Sequence, residues 1–232
     1  MKPTLLDCGP VTVEGRQVAE RLGMTPDSDL EAELGQLAAQ ASRVARPRAV
    51  YADAFVEERT EDATVIGGIR FHSRVLGVNL RDVHRVFPFV VTSGLEVEVW
   101  SQEITDPLMR FHADTVKELV LYQAAERLAA HIDHAFALKG ATAMNPGSLE
   151  DWPLSEQAPL FRLLGDVKAM IGVTLTESFL MHPVKSVSGI RFPAEASFES
   201  CMLCPRESCP NRRAPYDPQL FQTRYQGAVG HG

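Results

Sequence analysis

Cys201, Cys204 and Cys209 stand in C-x2-C-x4-C spacing inside a run rich in proline and arginine (Pro205, Arg206, Pro210, Arg212, Arg213), and the fourth cysteine, Cys8, is far away in sequence. Thiolates are soft ligands that select Zn²⁺ or iron–sulfur clusters, and a short loop carrying three of them can fold back on one centre. Proline directly follows Cys204 and Cys209, as it does in ferredoxin-type loops. An Fe–S cluster is therefore the expected occupant and zinc the alternative. A closed site takes four ligands; Cys8 is the candidate fourth, with His182 or a non-protein ligand as substitutes. The C-x3-C-x2-C spacing of radical chemistry is absent. The competing reading is three ordinary thiols in a reducing compartment, because a secreted domain of this size would spread its cysteines into loop-closing pairs.

Other chemistry-bearing residues are more scattered. His131 and His134 share one face of a helix and could in principle bind a metal together, but no Glu-x-x-His pattern accompanies them, and a surface or core-rim pair is the better reading. His72, His84, His112 and His182 have no nucleophile partner. The hydroxyls of Ser186 and Ser188 could hold a ligand phosphate or amide, or form one face of an edge strand. No Walker loop, dinucleotide glycine fingerprint or G-x-S-x-G elbow occurs.

The 232 residues are 45% hydrophobic and 23% charged, with 30 acids against 23 Lys and Arg, a formal charge of −7. An acidic chain without a dense basic stripe lacks the surface that displaces counterions from nucleic acid, so no nucleic-acid partner is expected. Neither a secretory leader after Met1-Lys2-Pro3 nor an apolar run approaching the ~20 residues of a membrane span is visible, and a cytoplasmic location follows.

These residues must be positioned by elements that the sequence also outlines. Helices are predicted over Val13–Leu22 and from Ser28 to Pro47, the latter opened by a Ser28/Glu31 capping box and carrying Leu30, Leu34, Leu37, Ala41 and Val44 on one face. Ala49–Glu57, Ala63–Phe71 and Val86–Thr92 read as strands; Leu95–Trp100 alternates and reads as a strand too. Asp106-Pro107 starts a long helix, with Val116, Leu119, Val120, Ala124, Leu128, Ile132 and Phe136 as its stripe and Gly140 as its end. A polar loop over Thr142–Trp152 leads to a helix at Ser155–Leu164, then strand-like runs at Met170–Thr176 and Ser186–Phe192. Everything after Pro193 reads as irregular. Long helices mixed with irregularly spaced strands point to an α+β fold, one domain over residues 1–200 with a cysteine-rich tail, 201–232, packed on it.

The C-terminal half carries a resemblance. Pro146-Gly147, then Trp152-Pro153-Leu154-Ser155-Glu156-Gln157, Leu160-Phe161-Arg162-Leu163-Leu164, Ile171-Gly172-Val173-Thr174-Leu175-Thr176-Glu177-Ser178, Met181-His182-Pro183 and Ser186-Val187-Ser188-Gly189-Ile190 resemble the activation (reactivation) domain of cobalamin-dependent methionine synthase. Val18–Gly23 and Thr92-Ser93-Gly94 resemble stand-alone versions of it. The resemblance implies a twisted, largely antiparallel sheet flanked by helices, and a helical Leu95–Trp100. It implies docking onto a corrinoid-binding protein or core methionine synthase that carries the cobalamin, and help in rescuing cob(II)alamin by one-electron reduction and methylation from S-adenosylmethionine. Its ligand-facing candidates here are Asn145, Pro146, Gly147, Ser148, Ser186, Ser188 and Phe198.

The departures from that family are specific. Its R-x-x-x-G-Y loop places the arginine on Ala143 and the tyrosine on Ser148 while keeping Gly147; its Tyr-Phe pair falls on Ser197-Phe198, and a helix acid falls on Ala130. A charge-assisted contact is worth about 1.5–3 kcal/mol, so losing several counts against S-adenosylmethionine. The expected function is a stand-alone reactivation or docking subunit that passes an electron to cob(II)alamin through an Fe–S centre, with an electron-donor protein as a further partner. The alternatives are a remethylating subunit of a split methionine synthase and a binding module with a zinc-stapled tail.

Overall fold

The computed structural model describes residues 2–25, 28–194, 198–209 and 212–226. Its fold is α+β, as expected: helices pack on both faces of a curled, wholly antiparallel sheet.

Strand β6 (Arg85–Thr92) is the hub, buried at seven of its eight positions. Along one edge β2 (Arg48–Tyr51) and then β3 (Ala54–Arg59) pair with it in succession, and β10 (Ser186–Pro193) pairs along the other. Beyond these lie β1 (Thr4–Asp7) on β2, β7 (Ala141–Met144) on β10, and the β4 (Ala63–Ile66)–β5 (Ile69–His72) hairpin on β3.

Alternation along β6 divides the core. Phe87, Phe89 and Val91 meet Leu121, Ala124, Leu128 and Ile132 of α5 (Pro107–Ala135) on one face. On the other face Val90 meets Leu164, Val167 and Ile171 from α6 (Gln157–Leu164) and α7 (Val167–Ile171). Val86 there joins a larger cluster with Phe71, Trp152, Leu160 and Phe198. The N-terminal half of α5 packs instead with α1 (Gly15–Arg21), α2 (Ser28–Val44) and α4 (Leu95–Gln102).

Several expectations need correction. The single strand expected over Ala49–Glu57 is two, β2 and β3, broken at Ala52-Asp53, where Asp53 accepts a bidentate pair from Arg85 at 2.6 and 2.5 Å. The run Ala63–Phe71 is a hairpin turning at Gly67-Gly68, both at positive φ, the backbone state that a two-residue hairpin loop demands. Leu95–Trp100 is helical, as the resemblance implied and the alternation did not. Its Leu95 and Val99, one turn apart, are exposed, whereas Val97 is buried and Glu98 forms a buried ion pair with Lys117 at 2.9 Å. Met170–Thr176 is not one strand: Met170 and Ile171 close α7, which is capped by Asp166 through the Ala169 amide, and beyond Gly172-Val173 comes only the two-residue strand β8 (Thr174–Leu175). It pairs with β9 (Met181–His182).

The tail is not wholly irregular. It holds a 3-10 turn at Ser200–Leu203 and a π-type helical turn at Phe221–Gln226. The Ser28 side chain of the expected capping box, Ser197, and residues 227–232 lie outside the described residues.

Candidate functional site

The loop after β7 is built from its backbone outward. Asn145 donates through Nδ2 to the Ser188 carbonyl at 2.7 Å, tying the loop to β10. Pro146 is buried. Gly147 sits at φ +84 with its amide on the Trp152 carbonyl at 2.7 Å, and a Cβ there would meet Leu154 Cδ1 at 2.9 Å. Both the dihedral and the close approach require glycine. Of the four candidates on the loop, Gly147 and Ser148 are exposed.

The other candidates from the resemblance point into the fold. Ser188 is 2% exposed and its hydroxyl faces Gln157 Oε1 at 3.3 Å; the Ser186 hydroxyl is occupied by Thr92 Oγ1 and the Pro183 carbonyl. Phe198 is a core residue, edge-on to Tyr225 at 6.3 Å, with its carbonyl accepting from the Thr142 hydroxyl. Much of the quoted motif is likewise scaffolding. Asp151 accepts the Arg74 and Val75 amides at the start of α3 (Arg74–Asn79), Trp152 is fully buried, and Glu156 accepts the His72 amide at 2.9 Å.

Ala143, where the resemblance puts an arginine, lies opposite Arg191 across β7 and β10. The Arg191 guanidinium is closed on Asp133 of α5 by two hydrogen bonds, at 2.8 and 2.6 Å. The arginine nearest in register is thus already neutralised by an internal carboxylate. Neither residue carried a sequence signal; only the pairing of β10 with β7 brings them to this face.

The cysteine loop is organised by a residue that its spacing did not single out. Arg212 reaches the carbonyls of Cys201 at 3.1 Å, Cys204 at 3.2 Å and Ala214 at 3.2 Å, and that of Arg206. Five fixed donors suit one guanidinium to gather several carbonyls. The Arg213 amide donates to Cys201 Sγ at 3.4 Å, and all three thiols are free and half-buried. The cysteines are therefore brought into one loop. Among the described residues, however, no three His, Cys, Asp or Glu side chains converge on a point that could hold a metal ion. Ligation needs the loop to close further.

Cys8 is not brought to them. It is 5% exposed in the cluster under α5, with Phe87 and Leu121, on the sheet face opposite Phe198 and Tyr225. Burial first, and Asp7 second, push its thiol up to about 11, so it stays protonated and is a poor ligand. His182, the substitute, is exposed on β9.

The tip of the tail faces a polar cluster on α1 and α5. Arg21 meets Glu118 at 2.7 Å and lies over the Tyr122 ring, and Tyr122 donates to Glu118 at 2.5 Å. Burial and then the Glu118 hydrogen bond push Tyr122 up to about 12, opposed by the charges of Arg21 and Arg213; Cys209 also acts on Arg21.

An α+β scaffold built on one curled, eight-stranded antiparallel sheet with helices on both faces is a class for which known structures exist. Residues 109–201, less than half of the chain, match the family model described as vitamin B12 dependent methionine synthase, activation domain. Among solved structures the chain is similar to one titled "Crystal Structure of the MetH Reactivation Domain bound to AdoHcy", with a TM-score of 0.64 and 17% identity over 86% of this chain and 81% of that one. No curated protein matches. The chain has the fold of that reactivation domain, and no described helix is long and apolar enough to cross a membrane.

Proposed function

We propose that this chain is a reactivation or docking module for a corrinoid-carrying protein, acting on cob(II)alamin held by a methionine synthase core or a related methyltransferase. The observation that carries the reading is the agreement of two independent likenesses: the activation-domain family model over residues 109–201 and the reactivation-domain fold over 86% of the chain.

AdoHcy, to which the similar reactivation domain is bound, is a close relative of S-adenosylmethionine. Here Ala143 and Ser148 offer no charge, and Arg191 is already paired with Asp133 at 2.6 Å, so binding of that class is weak and remethylation is the second reading.

The finer part of the proposal concerns the cysteine loop, to which we assign an Fe–S centre on Cys201, Cys204 and Cys209. Its support is the donor set itself, three unpaired thiols in one loop with a main-chain amide on Cys201 sulfur. Such a centre would supply a one-electron couple. The protein's own part is to present the sulfurs, through Arg212, at the α1–α5 end. The test is iron, zinc and acid-labile sulfide analysis with absorbance spectra on protein prepared without oxygen, wild type and Cys204→Ala. Iron and sulfide in equal amounts, lost in the variant, are expected. Stoichiometric zinc, or neither metal, would leave only the docking module.

A further inference from the structure

A cavity of about 330 Å³ opens between α3, the β3–β4 turn and the C-terminal helical turn, lined by Arg59, Arg74, Arg81 and Arg224 together with Glu61 and Tyr225. Four guanidinium groups around one cavity stand out in a chain of net charge −7. Two of them are fixed. Arg59 donates to the carbonyls of Leu80 at 2.9 Å and Val83 at 2.5 Å, which hold it in place without cancelling its charge, and Arg74 pairs with Glu61 at 3.0 Å. The other two, Arg81 and Arg224, are exposed and form no ion pair among the described residues; Arg224 lies 5.6 Å from the Tyr225 ring centroid. The Tyr225 hydroxyl is turned away to Asn79 Oδ1 at 2.9 Å. The cavity thus has three positive charges in excess, and two of its guanidinium forks have no ion-pair or hydrogen-bond partner among the described residues.

We infer that this cavity binds a small, multiply charged oxyanion of the phosphate class, with Arg81 and Arg224 as its ligands and Arg59 and Arg74 as a fixed positive field. Guanidinium forks match phosphate oxygens in bidentate geometry, with bonds about twice as strong as neutral ones. The volume is at the lower end of small-molecule sites, roughly 300–1,000 Å³, which leaves room for a diphosphate carrying a small organic group. Arg224 belongs to the tail, whereas Arg59, Arg74 and Arg81 belong to the body. Bound anion therefore ties the tail to the domain, because a ligand that binds only the docked state stabilises it by mass action. This site stands apart from the corrinoid reading and survives its failure.

The test is calorimetric titration of the full chain with sodium pyrophosphate at fixed ionic strength, with citrate as a second probe. Saturable binding at millimolar concentration or tighter is expected, with at least tenfold preference over citrate. Arg81→Ala with Arg224→Ala, both on the surface, should weaken it at least tenfold, while Arg162→Ala, an exposed arginine that does not line the cavity, should leave it unchanged. Pyrophosphate should also slow amide exchange over residues 220–225. No saturable heat, equal affinity for citrate, or an unaltered double variant would each overturn the assignment.

Discussion

Cys8 and the tail cysteines are different thiols because their surroundings differ. Cys8 lies against Phe87 and Leu121, whereas Cys201, Cys204 and Cys209 are half-buried around the Arg212 guanidinium. Burial raises the Cys8 thiol from its ordinary 9.0 to about 11 in the folded chain. Between those values the unfolded chain has released a proton that the folded chain still holds, so stability falls as pH rises. Urea denaturation should show a flat Cys8 contribution below pH 9 and a decline from there towards 11. That part of the decline should vanish in Cys8→Val, and iodoacetamide should label the tail thiols before Cys8. The spacing of the cysteines was legible in sequence as a shared loop; burial of Cys8 was not, since it depends on α5 covering the strand it follows. The same limit applies to Ser186, Ser188 and Phe198. The serine hydroxyls suited ligand contact and the resemblance put Phe198 beside them, yet the pleat of β10 and the return of Tyr225 turn them inward.

At the scale of elements, the long helix and its Asp106-Pro107 start were legible because local chemistry decides them: the Asp106 side chain accepts the Met109 amide at 2.9 Å, and such a cap is worth ~1 kcal/mol. α4 was misread because its alternating Leu95, Val97 and Val99 mimic a strand. Only tertiary contact, Val97 buried and Glu98 on Lys117, reveals the helix. The Gly67-Gly68 turn carried a recognisable signal that the continuous apolar run around it masked. The cysteine loop is a further element whose shape comes from one side chain. Replacing Arg212 with lysine retains charge but supplies fewer, unfixed donors. Arg212→Lys should therefore loosen the loop, read as at least fivefold faster tryptic cleavage within 199–213, with the global urea midpoint shifted little. Unchanged cleavage would show that the carbonyls of Cys201 and Cys204 are held by something other than Arg212.

Across the whole molecule, the α+β class was legible from the irregular spacing of helices and strands, and the reactivation-domain fold from motif residues that turn out to build the scaffold: Asp151 capping α3, Trp152 filling the core, Gln157 on Ser188. A motif of structural residues carries the fold reliably and the chemistry poorly. What this chain does with that fold therefore rests on its departures, Ala143, Ser148 and the cysteine tail. The most direct test mixes the full chain with a methionine synthase cobalamin-binding domain carrying cob(II)alamin, under a low-potential chemical reductant and without S-adenosylmethionine, and follows the corrinoid spectrum. The reductant supplies one electron per cobalt as cob(II) becomes cob(I). Faster loss of cob(II)alamin with the wild-type chain, and not with Cys204→Ala, is the predicted result. Identical rates with and without the chain would contradict the account.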